Sequence, residues 1–459
     1  MIERVLAATR PLRVPRGDRL PLYLCPVQTV PGDEAEIERQ LKALDERGIA
    51  ACATWAPGGG REKALETALR ISQIQKKLGL SVGINAVSCT YTVCNGAPET
   101  AHVGADGQPF FDLSTVSWHG GPPRKLGCPF ALQTRCAEIA EQTAFFCRAY
   151  KEKGIAVDFI WTDWEVDGPI EWNGGWEAAK RCKVCRGRIP GIDDFLQFQK
   201  AYRAKRSEVE RTIYGSVVLE HFPGARVGNY AVYPNNGWRY WYDWFEQEPT
   251  DKAIPVKMEQ RAPIRPWVDE FGPCGYTMAM PVFYTWGCIW TWYDWPNADY
   301  RWFHNLLQVA SNAGQSTPAT VPLVPFVHRT VIGAPPGFDP ANNLSVEVYK
   351  EFLWHALLRG HDTFFLFCGD KELEAELAPL HEVWAESLAY KEFLDRGVPV
   401  GFDIPDKPGP VVSGLLLGNR LLVRRTDFED DSGPVELKVG KKVVRVKRSK
   451  GKCQVFDLK

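Results

Sequence analysis

Three observations predict an α/β protein: eight apolar runs alternating with helix-period stretches, a change to short alternating strands after about Val398, and no Gly-rich fingerprint after the first run. The predicted fold is a (β/α)8 barrel over residues 1–395 with a small antiparallel β-sandwich over 396–459. Near-continuous apolar strands are what a parallel sheet covered on both faces by helices requires. Eight of them favour a closed barrel over an open sheet.

Taken in order, Arg4 to Val14 has strand character, and Leu20 to Val27 reads as the first barrel strand. Asp33 to Arg47 has helical spacing at Ile37, Leu41 and Leu44 and stops at Gly48. Ile49 to Trp55 is the second strand, Arg61 to Lys77 the next helix and Ser81 to Ser88 the third strand. A loop from about Cys89 to Gln133 follows, and loops of that size in a compact domain are usually functional or disordered. The helix Thr134 to Lys153 leads into the fourth strand, and a second long loop, Val166 to Ile192, precedes a helix over Asp193 to Ile213. Ala225 to Tyr233, Tyr276 to Trp286, Ala319 to Val331 and Thr363 to Cys368 are strands five to eight. Helices are predicted over Asp299 to Asn312 and Glu347 to Arg359, and a last one over Leu377 to Leu394. Beyond it, GN, DDSG, VGKK and SKGK turns separate short alternating strands.

Composition narrows the function. The formal net charge is −1 and no Lys/Arg run dominates, which argues against nucleic acid. No stretch is apolar enough to span a membrane. The segment MIERVLAATRPLRVPRG is too charged for a signal peptide, which predicts a cytoplasmic protein as encoded, or a secreted or periplasmic one whose leader is removed. Seventeen Trp, beside 15 Tyr and 23 Phe, point to carbohydrate, whose C–H faces stack on indole. The composition leaves the oligomeric state open.

The chemistry concentrates in IAVDFIWTDWEVDG, Ile155 to Gly168. On a strand, Trp161, Asp163 and Glu165 share one face. Two like charges one residue apart on a face push one pKa up, the division of labour an acid and its helper need. Other residues at predicted strand ends are Trp55; Asn85 and Ser88; Asn229, Tyr230 and Tyr233; Tyr284 and Trp286; His328 and Arg329; and Phe367 with Asp370. No nucleophile elbow and no converging His set is present in this group, so two carboxyls with aromatic platforms, the equipment of glycoside hydrolysis, fit best. Trp172, Trp176, Trp238, Trp241, Trp290, Trp292 and Trp295 fall in or near loops and are candidate platforms or cap packing. His328 or Arg329 would read an anionic substituent, or cap a helix.

The run Asp158-Phe-Ile-Trp-Thr-Asp163-Trp-Glu165 resembles the DGxDxDWE signature of family 18 glycoside hydrolases, the chitinases and endo-β-N-acetylglucosaminidases. It keeps the first Asp and the final DWE, with Phe159 in place of Gly and Trp161 in place of the middle Asp. Met280-Pro-Val-Phe-Tyr284 is similar to a Met-then-Tyr pattern of that family, with longer spacing, and hyaluronidases have a comparable acidic strand end. The resemblance implies substrate-assisted retention on a 2-acetamido sugar. Glu165 would be the acid, Asp163 would orient the acetamido group, and Tyr284 would donate to its oxygen. No catalytic cofactor is implied. A scheme similar to that of α-galactosidases makes Asp163 the covalent nucleophile, with Asp294 a remote candidate acid. A carbohydrate-binding barrel without catalysis and a metal-dependent hydrolase complete the alternatives.

Cys182-Lys-Val-Cys185 lies in the second long loop. A CxxC in a loop is half of a zinc site or a redox pair, and Cys89, Cys94 and Cys128 of the first long loop are candidates to complete a structural, closed zinc site.

Overall fold

The computed structural model describes residues 1–90, 95–113, 125–164, 175–236, 264–429, 433–449 and 451–458. Two compact units make up the chain: Met1–Cys52 together with Ala279–Lys459, and Ala53–Met278.

In the Ala53–Met278 unit the sheet order is Arg226–Asn229, Phe159–Thr162, Gly83–Asn85, Cys52–Thr54. Phe159–Thr162 is flanked in parallel on both sides, with Ile160 opposite both Val227 and Ile84, and all four of its residues are buried. That is why its sequence is apolar without alternation. At its foot the Asp158 carboxylate accepts the Val82 N–H at 2.7 Å. The Gln133–Glu152 helix buries Ile139, Thr143, Phe146, Cys147 and Tyr150, a stripe at helical spacing. Tyr150 closes the contact to the Arg61–Lys77 helix through a 3.0 Å hydroxyl pair with Ser72.

The other unit holds a five-stranded sheet in the order Val282–Trp286, Phe326–Ile332, Phe365–Leu366, Leu22–Leu24, Ile49–Ala50. Every pairing in it is parallel. Three of its helices start on side-chain caps, as their sequences ask: Asp33 for Glu34–Asp45, Asn297 for Ala298–Ser316 and Ser345 for Val346–Leu358. The C-terminal strands form an antiparallel sheet ordered Val398–Val400, Pro410–Leu417, Arg420–Asp427, Gln454–Asp457, beside the hairpin of Val435–Val439 and Lys442–Val446. The two layers bury Val412, Leu421, Val423, Leu437, Val439, Val444 and Val446 against one another.

Both parallel orders are consecutive stretches of the cyclic order that a (β/α)8 barrel uses, so the fold class is the α/β barrel with a C-terminal β-sandwich. The sandwich shares a unit with the N-terminal residues. It docks on the Val346–Leu358 helix through His355, whose ring nitrogens meet Ser413 at 2.7 Å and Thr426 at 3.0 Å.

Several elements differ from the sequence reading. Arg4 to Val14 is not a strand: Ile2–Ala8 is a helix that buries Ile2 and Val5, three apart, and Arg4 pairs with Glu374. The sixth and seventh strands begin late, at Val282 and Phe326, each directly after a proline, Pro281 and Pro325. Proline lacks the N–H a ladder needs, so these residues break the continuous strands off from the isolated Ala279–Leu323 bridge that precedes them. The third strand is short, Gly83–Asn85, and turns into the helical stretch Val87–Thr90. The last barrel helix spans Leu373–Ser387, with Lys391–Arg396 a separate turn.

Candidate active site

Asp163 follows directly on the Phe159–Thr162 strand, at its C-terminal end, where barrel chemistry is carried. Its neighbours Thr162 and Trp164 are buried, and its own Oδ1 is buried with no hydrogen-bond partner among the described residues. Burial pushes the Asp163 carboxyl up to about 7, because the charged form loses its water without gaining a donor.

The adjacent strand end holds this backbone in place. Asn229 is wholly buried and its Oδ1 accepts the Trp164 N–H at 2.9 Å, while the Tyr230 N–H donates to the Thr162 carbonyl at 3.0 Å. The Asn229 Nδ2 and the Trp164 Nε1 are also buried without partners among the described residues. Unsatisfied buried groups of this kind are rare and call for a ligand, a water or a catalytic task. On the other side, Asn85 is buried and its Oδ1 accepts the Val87 N–H at 3.0 Å. Asn229 and Asn85 therefore act first as positioning residues, and Tyr230 and Tyr233 are likewise buried.

Trp55 requires a correction. It is fully buried, stacked on Phe146 at 5.3 Å and meeting Tyr150 edge-on at 5.2 Å, so it belongs to the core and offers no face to a sugar. Trp176 packs too: its indole N–H donates to the Ile192 carbonyl at 2.7 Å and Lys180 lies over its ring. Glu165, Trp172, Trp238 and Trp241 lie outside the described residues.

In the other unit, Tyr284 and Trp286 end the Val282–Trp286 strand. Tyr284 stacks on Phe367 at 5.6 Å, with His328 at 5.9 Å and Trp286 at 6.0 Å between ring centroids. Phe367 is 39% exposed, which makes it the accessible face of this aromatic group. His328 Nε2 lies 3.2 Å from Glu372 Oε2. Arg329 is half-buried and its Nη1 donates to the Leu344 carbonyl at 2.9 Å, a packing contact. Trp290 stacks on Trp302 and Trp295 on Tyr293, which leaves both as packing residues.

Sequence reasoning placed Phe367 at a strand end but missed Glu372 and His102. Among the cysteines offered as partners for Cys182 and Cys185, Cys128 joins them, whereas Cys89 is buried elsewhere, its thiol under the Trp55 carbonyl. Cys94 lies outside the described residues. The fourth ligand-bearing side chain is the buried His102.

No protein-family model matches the chain and no curated protein matches it. Solved structures similar to it include a GH36 α-galactosidase of Geobacillus stearothermophilus bound to 1-deoxygalactonojirimycin, at 10% identity and a TM-score of 0.48, over 98% of this chain and 56% of that one. The chain thus spans little more than half the length of that protein. Amy13B of Eubacterium rectale follows at 10% identity and a TM-score of 0.46, over 95% of this chain and 91% of that one. A noncanonic maltogenic α-amylase of Thermotoga neapolitana is 11% identical with a TM-score of 0.44, over 97% and 98%.

Proposed function

We propose that the chain is a glycoside hydrolase that retains configuration by substrate assistance on a 2-acetamido sugar. The observation that carries this reading is the half-buried Asp163 at a parallel strand's C-terminal end, with its Oδ1 buried without a partner among the described residues and its carboxyl raised to about 7. A carboxyl poised there passes between hydrogen-bond donor and acceptor at little cost near neutral pH. An acetamido N–H would draw it to the carboxylate form. Its charge would then offset the positive charge that develops as the acetamido carbonyl oxygen attacks the anomeric carbon. Glu165, two residues on, would protonate the leaving oxygen. A covalent nucleophile must instead stay ionised before substrate arrives, which the desolvation of Asp163 opposes. The Tyr284, Trp286 and Phe367 aromatics are the proposed sugar-contacting surface of their unit.

The test is hydrolysis of aryl glycosides with and without a 2-acetamido group, by wild type and Glu165→Gln. Turnover confined to the 2-acetamido sugars, falling about 10²–10⁴-fold in Glu165→Gln, is the expected result. Turnover of plain hexosides would make Asp163 the nucleophile. Binding of sugar with no turnover by either protein would leave a carbohydrate-binding barrel.

A further inference from the structure

Four ligand atoms of the Ala53–Met278 unit converge: His102 Nδ1 and the thiol sulfurs of Cys128, Cys182 and Cys185. The Cys128 and Cys185 sulfurs are 3.6 Å apart, Cys182 and Cys128 4.0 Å, and Cys185 and His102 Nδ1 4.0 Å. All four atoms lie within 4.8 Å of one another. In a tetrahedral zinc site with Zn–S bonds of ~2.3 Å, ligand atoms sit about 3.8 Å from each other. We propose that these four side chains bind one zinc ion in a closed Cys3His site.

The local structure is built for it. Cys182 precedes the short Lys183–Arg188 helix and Cys185 lies one turn on, so the CxxC turns both sulfurs to the same side. Cys128 is delivered by a tight approach: its N–H donates to the Thr100 carbonyl at 2.7 Å, and a Cβ on the preceding Gly127 would fall 2.1 Å from that carbonyl oxygen. His102 stacks on Phe110 at 5.1 Å, which fixes its ring plane. Ile189, Ile192, Phe198 and Tyr202 enclose the sulfurs in apolar surroundings.

Burial separates this reading from its rivals. The three cysteines are 0% exposed and His102 is 2% exposed, so a thiol nucleophile here could reach no substrate. A disulfide needs only two sulfurs at ~2.05 Å and gives no reason for a third sulfur and an imidazole to join them. An iron–sulfur cluster holds its cysteines around several metal atoms and so farther apart than these. Three thiolates and one imidazole at single-ion spacing select zinc, and four protein ligands leave no position for substrate, so the role is structural.

The ion would join two loops. His102 and Cys128 follow the Gly83–Asn85 strand, and Cys182 and Cys185 follow the Phe159–Thr162 strand that ends at Asp163. His102 and Cys185 are 83 positions apart, and a clip that closes a chain segment of that length removes much conformational freedom from the unfolded state.

Purified chain should carry about one zinc per molecule by inductively coupled plasma mass spectrometry. Cobalt exchanged into it should show the intense ligand-field bands of tetrahedral coordination together with thiolate-to-cobalt charge transfer. Cys128→Ser with Cys182→Ser should drop the metal below ~0.1 per chain, whereas His102→Cys, which keeps four soft ligands, should retain it. The wild-type measurement stands even where the double variant fails to fold. Wild-type chain prepared with zinc that holds none, or that shows by intact mass a Cys128–Cys185 disulfide, would overturn the site.

Discussion

At the residue scale, Asp163 shows how a site costs stability. An acid whose folded pKa lies near 7, against about 3.8 unfolded, keeps its proton in the native state after the unfolded chain has released it. Between about pH 4 and 7 the native state therefore binds more protons, and this residue's contribution to stability declines as pH rises through that window. Asp163→Asn removes the titration. We expect the variant to melt at a higher temperature than wild type at pH 8 and to lose most of that advantage at pH 4, measured by calorimetry at both values. An equal difference at the two pH values would show that Asp163 ionises normally. Its position was legible in the sequence because the alternation Trp161, Asp163, Glu165 is local. Its burial was not, since that depends on Asn229, which meets the Trp164 backbone from 65 positions away.

At the scale of the element, strand ends here are tied by buried carboxylates from neighbouring segments. Glu376 of the Leu373–Ser387 helix is wholly buried and accepts the Arg329 N–H at 2.9 Å, the Thr330 N–H at 2.8 Å and the Thr330 hydroxyl at 2.6 Å. Glu376→Ala would strand those donors and destabilise the chain by about 2–4 kcal/mol, read as a lower urea midpoint. Half-buried Asp158, just before its own strand, likewise holds the Val82 N–H of the adjacent strand's approach, so the first Asp of the Asp158–Glu165 run has a backbone to hold. Apolar runs located the strands because burial on both faces writes itself into composition. Their continuous starts were missed where Pro281 and Pro325 interrupt the pairing, although that signal was present in the sequence. His102 carried no local signal: what makes it a ligand is a fold that closes long loops, and a lone His in a loop predicts nothing.

At the scale of the molecule, the Met1–Cys52 and Ala279–Lys459 unit keeps several histidines neutral in its interior. Burial depresses His304 and His361 to about 4, and lowers His355 and His381 as well. A histidine with a depressed folded pKa leaves stability intact above about 6.5 and removes it as pH falls toward 4, because only the unfolded chain takes up the proton. Acid should therefore weaken this unit and with it the docking of the sandwich on His355. The check is tryptophan fluorescence and chemical denaturation between pH 7 and about 4.5, where His355→Asn should flatten part of the slope. Among the described residues no helix is long and apolar enough to cross a membrane.

The same unit is assembled from the two ends of the sequence. Tyr23 pairs with Phe365, and the Thr363 hydroxyl donates to the Pro21 carbonyl across 342 positions. During synthesis at ~5–20 residues per second, the Leu22–Leu24 strand, already flanked by Ile49–Ala50 on one side, waits roughly 20–70 s for Phe365–Leu366 to emerge on the other. The residues 53–278 are contiguous and meet no such delay. A nascent chain in this order presents one unpaired apolar edge of Leu22–Leu24 throughout that interval, which is when chaperones would be most needed.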